Sequence, residues 1–558
     1  MPNDVKSIAE KNPDGLPEDL SHGFKDTEVG TVANTEESRL SRFYYTFRPL
    51  IHFLIWALWT TWWCYGLVYY RNSPGMGWLI PFLLWLAITI RIVTLWVPAT
   101  HLMKFLNIIW TNTVLKIYDF IPKKLHQPLA AIGTVAVFLV GTMVPEETTT
   151  SNRALRAQAL FGLLVMIGLL AATSHKREMI PWHTVISGLL AQFIVAIFVL
   201  RIQAGYDIFG FISYLARTLL EFAKDGVAFI TDEDVPALTW FFITVVPAII
   251  FFVALVSLLE KLAAFFFWAF RVSGPEAVVA SATPFVGMGE APVLIRPFVP
   301  YITAAEIHQI MTCGFATIAG SVLVAYIGMG LNPQALISSC IMSIPASLAL
   351  SKLRYPETEE TVTTGNITVP EDLDYKSHNS LHAFTNGAWL GLKIAGMIIC
   401  TILCIIAFVS LINALLGWWG GYWGMLETKL SLELILGYLF YPVAWLLGVP
   451  NQDLLLVGQL IGTKIVVNEF SAFAALTSTD PASPYFNMLQ RSKLIATYAC
   501  CGFGNIGSLG IEIGVLSQLA PSRSGDVSRL AVSALLTGIL ATLSSASIAG
   551  MLSTSEMA

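Results

Sequence analysis

The stretch VGQLIGTKIVVNEFSAFAAL, from Val457 to Leu476, is mostly apolar and about as long as a membrane span. Lys464, Asn468 and Glu469 sit near its middle. A charge at that depth is costly unless it meets a partner or water. On a continuous helix Lys464 and Asn468 share a face, whereas Glu469 lies about 140° from Lys464, five residues at about 100° each. Either the two charges serve different partners, or the helix unwinds near Val466 to Asn468. Polar glue between helices is the bland alternative. Ionisable groups inside a membrane are functional candidates by default, so the stretch points to a site.

The rest of the chain supports the membrane reading. Of 558 residues, 55% are hydrophobic and 12% charged, against about 25% charged in soluble domains. The pattern predicts an all-α polytopic membrane protein. Apolar runs begin near Pro49, Trp78, Pro128, Ala154, Val185, Ala237, Gln309, Pro333, Ala388, Leu455 and Val527, which makes about eleven transmembrane helices. Stretches such as TTWWCYGLVYY and GWWGGYWG look like interface belts. The net charge of −5 is small and suggests no nucleic-acid partner. The seven cysteines form no spaced set and are expected to be reduced, buried packing residues.

Residues 1–48 are polar and acidic and lack an apolar segment before a cleavage site. They are expected to form a disordered tail and no signal peptide. Arg39, Arg42 and Arg48 precede the first span, which places the N-terminus in the cytoplasm. Residues 49–125 then form additional N-terminal transmembrane helices, and residues 126–558 a larger core. Two segments, from Asp207 and from Leu430, are amphipathic and are expected to lie in the interface or against neighbouring subunits; Pro442 breaks the second. The sequon at Asn366 follows the basic SKLR, which argues for a cytoplasmic loop and an unused site.

Two apolar runs are interrupted. PEAVVASATPFVGMGEAPVLIRPFVP, from Pro275, carries Pro284, Gly287, Gly289 and Pro292 around Glu290. LIATYACCGFGNIGSLGIEIGVLSQLAP, from Leu494, carries Gly502, Gly504, Gly507 and Gly510 around Asn505 and Ser508, with Glu512 beyond. Each has the form of a re-entrant helical hairpin, the first at about 275–300 and the second at about 494–521. Exposed backbone at membrane depth is tolerated only where it is buried or lines a wet cavity. Paired breaks in two halves of a chain point to a transporter's substrate site. Close helix packing through glycine is the bland alternative.

These residues now admit a comparison. GTKIVVNEFSAF, Gly462 to Phe473, resembles the G-x-K-x-x-x-N-E-F signature of the concentrative nucleoside transporters. PWHTVISGLLAQFIVAIFVLR, FVGMGEAPVLIRPF, MTCGFATIAGSVLVAYIGMG, SIPASLALSKLRYPETEE and ATYACCGFGNIGSLGI resemble further segments of that family, in its order, from about residue 130 onward. The resemblance implies an elevator-type, cation-coupled nucleoside symporter of the plasma membrane, with no cofactor beyond its coupling ion, that assembles as a homotrimer in membrane lipid. Glu290 then matches a carboxylate near base and cation, and Glu469 one that binds ribose hydroxyls. Asn505 and Ser508 match ribose ligands, and Phe503 an aromatic beside the base. Lys464 and Asn468 match the signature in supporting positions.

The chain departs from the family at the first hairpin. Where members read Gly-Gln-Thr/Ser-Glu, Gly287, Met288, Gly289 and Glu290 stand here. A thioether at Met288 favours apolar contact with the base, which tilts the expected selectivity toward purines or broad acceptance. The positions matching the family's sodium site are Thr283, Val286, Thr317, Ile318 and Ser321, with Thr283 in place of asparagine. Hard cations want several oxygen ligands. Proton coupling needs only a carboxylate that takes up and releases a proton, and Glu290 or Glu512 fits. Both H+ and Na+ stay open, with protons preferred.

A passive nucleoside or nucleobase facilitator or channel would also use broken helices and stands as the alternative. Enzyme chemistry finds no motif among the nine histidines. Glu306 and His308 lie at i, i+2, which do not face each other on a helix.

Overall fold

The computed structural model describes residues 39–70, 79–96, 123–147, 380–425 and 429–552. It also describes 151–359 apart from 239, 241, 244, 256, 258–278, 280–282, 284–286, 290 and 296–297. The tail before Arg39, Val286, Glu290 and the Asn366 sequon therefore lie outside the described residues.

Two compact units are separated at Asn112 and Thr113. In the first, α1 (Arg39–Tyr70) packs on α2 (Leu79–Trp96). Trp63 stacks on Trp85 with ring centroids 4.6 Å apart, and Trp85 Nε1 donates to Thr60 Oγ1 at 3.1 Å. At least one tryptophan of the TTWWCYGLVYY belt is thus a helix–helix contact.

In the second unit, the apolar runs become α3 (Lys123–Met143), α4 (Arg153–Ala172), α5 (Trp182–Arg201), α6 (Gln203–Glu221), α7 (Ala223–Ile230) and α8 (Val245–Leu255). The chain continues through α9 (Ala304–Ala316), α10 (Gly320–Gly328), α11 (Pro333–Arg354) and α12 (Ser380–Tyr422). Next come α13 (Leu432–Leu439), α14 (Tyr441–Leu446), α15 (Leu454–Val466) and α16 (Glu469–Leu476). Last are α17 (Gln490–Cys500), α18 (Ile506–Leu519) and α19 (Ser524–Leu552). Among the described residues, six helices have the length and apolarity to cross a membrane, and four shorter apolar helices accompany them.

The buried centre is α19, which touches α4, α5, α9, α11, α17 and α18. Its sequence is rich in Ser, Ala and Thr. Small residues let helix backbones approach closely, and their hydroxyls bond across helices. Gln192 Nε2 donates to Ser544 and Ser545 Oγ at 3.0 and 3.1 Å, and Ser547 Oγ donates to the Ala159 carbonyl at 2.6 Å. The 43 residues of α12 span about 65 Å, roughly twice the hydrocarbon thickness. Much of its outer surface is uncovered, including Leu403, Phe408 and Trp418.

Three details differ from the sequence reading, and one agrees with it. The Gln309 run is not one helix: it unwinds at Thr317–Ala319, between α9 and α10. As expected, the amphipathic segment from Leu430 is broken at Pro442: it splits at Phe440, with Pro442 in the first turn of α14, since proline cannot donate within a helix but suits its start. Cys64, Cys400 and Cys404 are exposed on helix faces, while Cys313, Cys340, Cys500 and Cys501 are buried.

The third difference concerns the second hairpin. α15 and α16 pack against each other, whereas α17 and α18 hardly touch and instead both lie along α19. The re-entrant hairpin is therefore α15–α16, and residues 494–521 form an interrupted span. Glycine-rich polar turns mark an interruption but do not say whether the chain turns back after it.

Candidate functional site

The interrupted spans meet at their breaks. α9 ends at Ala316, and Thr317 and Ala319 are extended (φ −123°, ψ 169° and φ −73°, ψ 146°) before α10 begins. α17 ends at Cys500, and Cys501–Asn505 lead into α18. The Phe503 N–H donates to the Thr317 carbonyl at 3.1 Å. A Cβ on Gly502 would lie 3.0 Å from the Phe315 carbonyl oxygen and 2.6 Å from Thr542 Cγ2, so glycine there permits the close crossing. The breaks also share a sequence: Cys313–Ala319 is CGFATIA and Cys501–Gly507 is CGFGNIG. This internal repeat is the signal that would have exposed the break in the Gln309 run.

The hairpin supplies the third break. Val467 and Asn468 leave the helix (φ −94°, ψ −85° and φ −173°, ψ 168°). Asn468 Oδ1 then accepts from the Ser471 N–H at 2.7 Å, which caps α16. Of the two readings of the opening stretch, both hold: the helix unwinds, and the two charges take different partners. Lys464 Nζ donates to Thr542 Oγ1 at 3.3 Å on α19. Glu469, the first residue of α16, receives the Tyr326 hydroxyl on Oε1 at 2.8 Å and Asn505 Nδ2 on Oε2 at 2.8 Å. Asn505 Oδ1 in turn caps α18 by accepting from the Ser508 N–H at 2.7 Å. The carboxylate also sits at a helix N-terminus, where the backbone dipole favours negative charge.

One pocket reaches Asn468, Glu469 and Asn505. Met288, Gly289, Asn468, Glu469, Phe503, Asn505 and Ser508 all line it. α12 contributes Ile394, Ile398, Thr401, Ile402 and Ile405, at spacings that put them on one helical face. Neither this wall nor Tyr326 emerged from sequence reasoning. An apolar stripe on a helix has the pattern of ordinary packing, and a tyrosine in an apolar run resembles an interface residue. The usable signal was that a buried tyrosine needs a polar partner.

Met288 and Gly289 are tightly fitted. Met288 is buried, and its Cβ would lie 2.9 Å from a Cβ on Gly314. A Cβ on Gly289 would come 3.2 Å from Ile394 Cγ2, so the hydroxyl residue expected from the family would press on α12.

Other expected residues lie elsewhere. Lys464, Glu512, Thr283, Thr317 and Ile318 are buried but do not line the pocket. Thr317 Oγ1 donates back to the Cys313 carbonyl at 2.9 Å. Ser321 belongs to the first turn of α10. Glu512 lies on α18, with Oε1 3.7 Å from the position of a Cβ on Gly314. Glu306 forms a capping box with Thr303, with bonds of 2.8 and 3.1 Å, while His308 lies beside Ser351 and Ser533, at 2.7 and 3.2 Å. The pair is two separate structural groups.

Comparison with known proteins agrees with this architecture. The family model described as Na+ dependent nucleoside transporter C-terminus matches residues 335–550, and the corresponding N-terminus model residues 161–234. Solute carrier family 28 member 3 of Homo sapiens is 39% identical over 418 residues, covering 71% of this chain and 60% of its own length. The Bacillus subtilis transporter YutK is 36% identical over 412 residues, covering 70% of this chain and 99% of its own. The structure of CNTnw in an inward-facing substrate-bound state is 33% identical, with a TM-score of 0.62, and covers 72% of this chain and 98% of that one. The chain spans about 60% of the length of the human and rat relatives. These relatives are transporters, not enzymes. With the crossed breaks and the hairpin carboxylate, these matches establish that the chain belongs to the Na+ dependent, or concentrative, nucleoside transporter family.

Proposed function

We propose that this chain is a sodium-coupled symporter that imports nucleosides across the plasma membrane by an elevator movement, as a homotrimer with its N-terminus in the cytoplasm. The observation that carries the reading is Glu469, a buried carboxylate fixed between Tyr326 and Asn505 at the edge of a largely apolar pocket. A ribose presents neighbouring hydroxyls that one carboxylate can accept together. A deoxy sugar would leave an acceptor unpaired in a closed site, at a cost of about 1–3 kcal/mol. The base needs a flat apolar surface, and Phe503, Met288 and the isoleucines of α12 provide it. With Met288 there, purines or both base classes fit.

Sodium replaces protons as the preferred ion. The family models carry a sodium description, and nothing in the comparisons supports protons. The preference for protons rested on Thr283 in place of asparagine, with Glu290, which lies outside the described residues, or Glu512, which does not line the pocket, as the carrier. Thr283 and Thr317 retain buried hydroxyls that can serve a hard cation.

The test is uptake of labelled uridine and adenosine in cells lacking other nucleoside carriers, with and without sodium, from acid to neutral pH. Accumulation above the outside level that vanishes without sodium is the expected result. Sodium-independent uptake driven by acid would replace the ion, and equilibration without accumulation would make the protein a facilitator.

A further inference from the structure

Both oxygens of Glu469 are engaged by side chains: Tyr326 Oη donates to Oε1 and Asn505 Nδ2 to Oε2, both at 2.8 Å. The donors are themselves held. Tyr326 is fully buried in α10, with its ring edge-on to Phe473 of α16 at 4.8 Å between centroids. Asn505 is locked by its own cap on Ser508. An ionised carboxylate offers about four lone-pair directions. A fixed side-chain donor on each oxygen sets the carboxylate plane and leaves acceptor directions for a ligand. Two such acceptors on one rigid plane match the two hydroxyls of a vicinal diol.

We propose that Tyr326 is a positioning residue that sets discrimination for the ribose diol, by holding the Glu469 carboxylate in the plane that presents its acceptors to the sugar. This rests on Glu469 being the sugar ligand and extends it to a residue behind the pocket wall. Tyr326 does not line the pocket, so phenylalanine there preserves the shape that the substrate meets. It removes the donor to Oε1, frees a further acceptor and lets the carboxylate turn. Selectivity for the diol then falls, while the fit to the base and to the rest of the sugar is kept.

The test compares the full-length protein with Tyr326→Phe in cells lacking nucleoside carriers, using uridine, 2′-deoxyuridine and 2′,3′-dideoxyuridine. KM does not depend on how much protein reaches the surface. In the wild type, KM rises at least about tenfold from uridine to the dideoxy compound, the loss expected for unpaired acceptors. In Tyr326→Phe, KM for uridine rises about tenfold, KM for the dideoxy compound stays within about twofold, and the ratio collapses. The same ratio from equilibrium binding to purified protein serves a variant that assembles without cycling. An unchanged ratio, or equal changes for all three compounds, overturns the role of Tyr326. Absence of any nucleoside uptake or binding by the wild type would instead refute the functional reading beneath it.

Discussion

The two interrupted spans share a motif and part ways at one side chain. In α9–α10 the break carries Thr317, whose hydroxyl turns back to the Cys313 carbonyl of its own helix. In α17–α18 the equivalent residue is Asn505, whose amide caps its own helix and reaches across to Glu469. The backbone solution is the same, and a bond between Phe503 and Thr317 joins the two. The longer, two-ended amide makes one break part of a polar site. The shorter hydroxyl of Thr317 reaches no further than its own helix. The repeat thus makes different contacts by changing a residue at a fixed backbone position.

The comparison can be broken most forcefully at its acceptor. Glu469→Gln removes the charge and replaces one acceptor with a donor, so labelled uridine uptake should fall by roughly a hundredfold or more in kcat/KM. Normal transport by that variant would end the assigned role.

Asn505→Ala and Thr317→Ala test the divergence itself. The first loses a helix cap, worth about 0.5–2 kcal/mol, and a donor to Glu469, so the KM for uridine should rise about tenfold or more. The second loses one internal bond, so KM at saturating sodium should stay within about twofold, while the sodium concentration for half-maximal uptake rises. Equal effects on both parameters in both variants would show that the breaks are interchangeable.

Gly502→Ala tests the crossing. Its Cβ would approach Thr542 Cγ2 to 2.6 Å, and overpacking of this kind costs about 1–3 kcal/mol. Thermal unfolding of the purified protein should therefore begin at a lower temperature, and an unchanged transition would mean that the breaks can separate freely. The smallest effect is expected away from both breaks. Ser547→Ala deletes one interhelical bond to Ala159, and such bonds average about 0.6 kcal/mol within membranes, so the same unfolding assay should shift only slightly.

Much of the fold and site is legible in the sequence, for identifiable reasons. An apolar run of spanning length fits little besides a buried or membrane-crossing helix, and nearly every such run starts at or within a helix. Lys464, Asn468 and Glu469 are conspicuous because charge inside an apolar run demands a partner. Asn505 and Ser508 stand out inside a glycine-rich turn. What is not legible is three-dimensional. Glycine marks a break but not its direction, so the interrupted α17–α18 span reads like the hairpin that α15–α16 forms. The α9–α10 break hides behind Thr317, Ile318 and Ala319, which look helical. Tyr326 acquires its meaning from Glu469, which lies far away in the chain, and no local pattern joins them.

The central claim is that Glu469 holds the sugar. Equilibrium binding of uridine and 2′,3′-dideoxyuridine to purified wild type and Glu469→Gln tests it most directly. The account predicts that the wild type prefers uridine by about tenfold or more and that the variant binds both compounds weakly and alike. A Glu469→Gln protein that still prefers uridine as strongly as the wild type would contradict it.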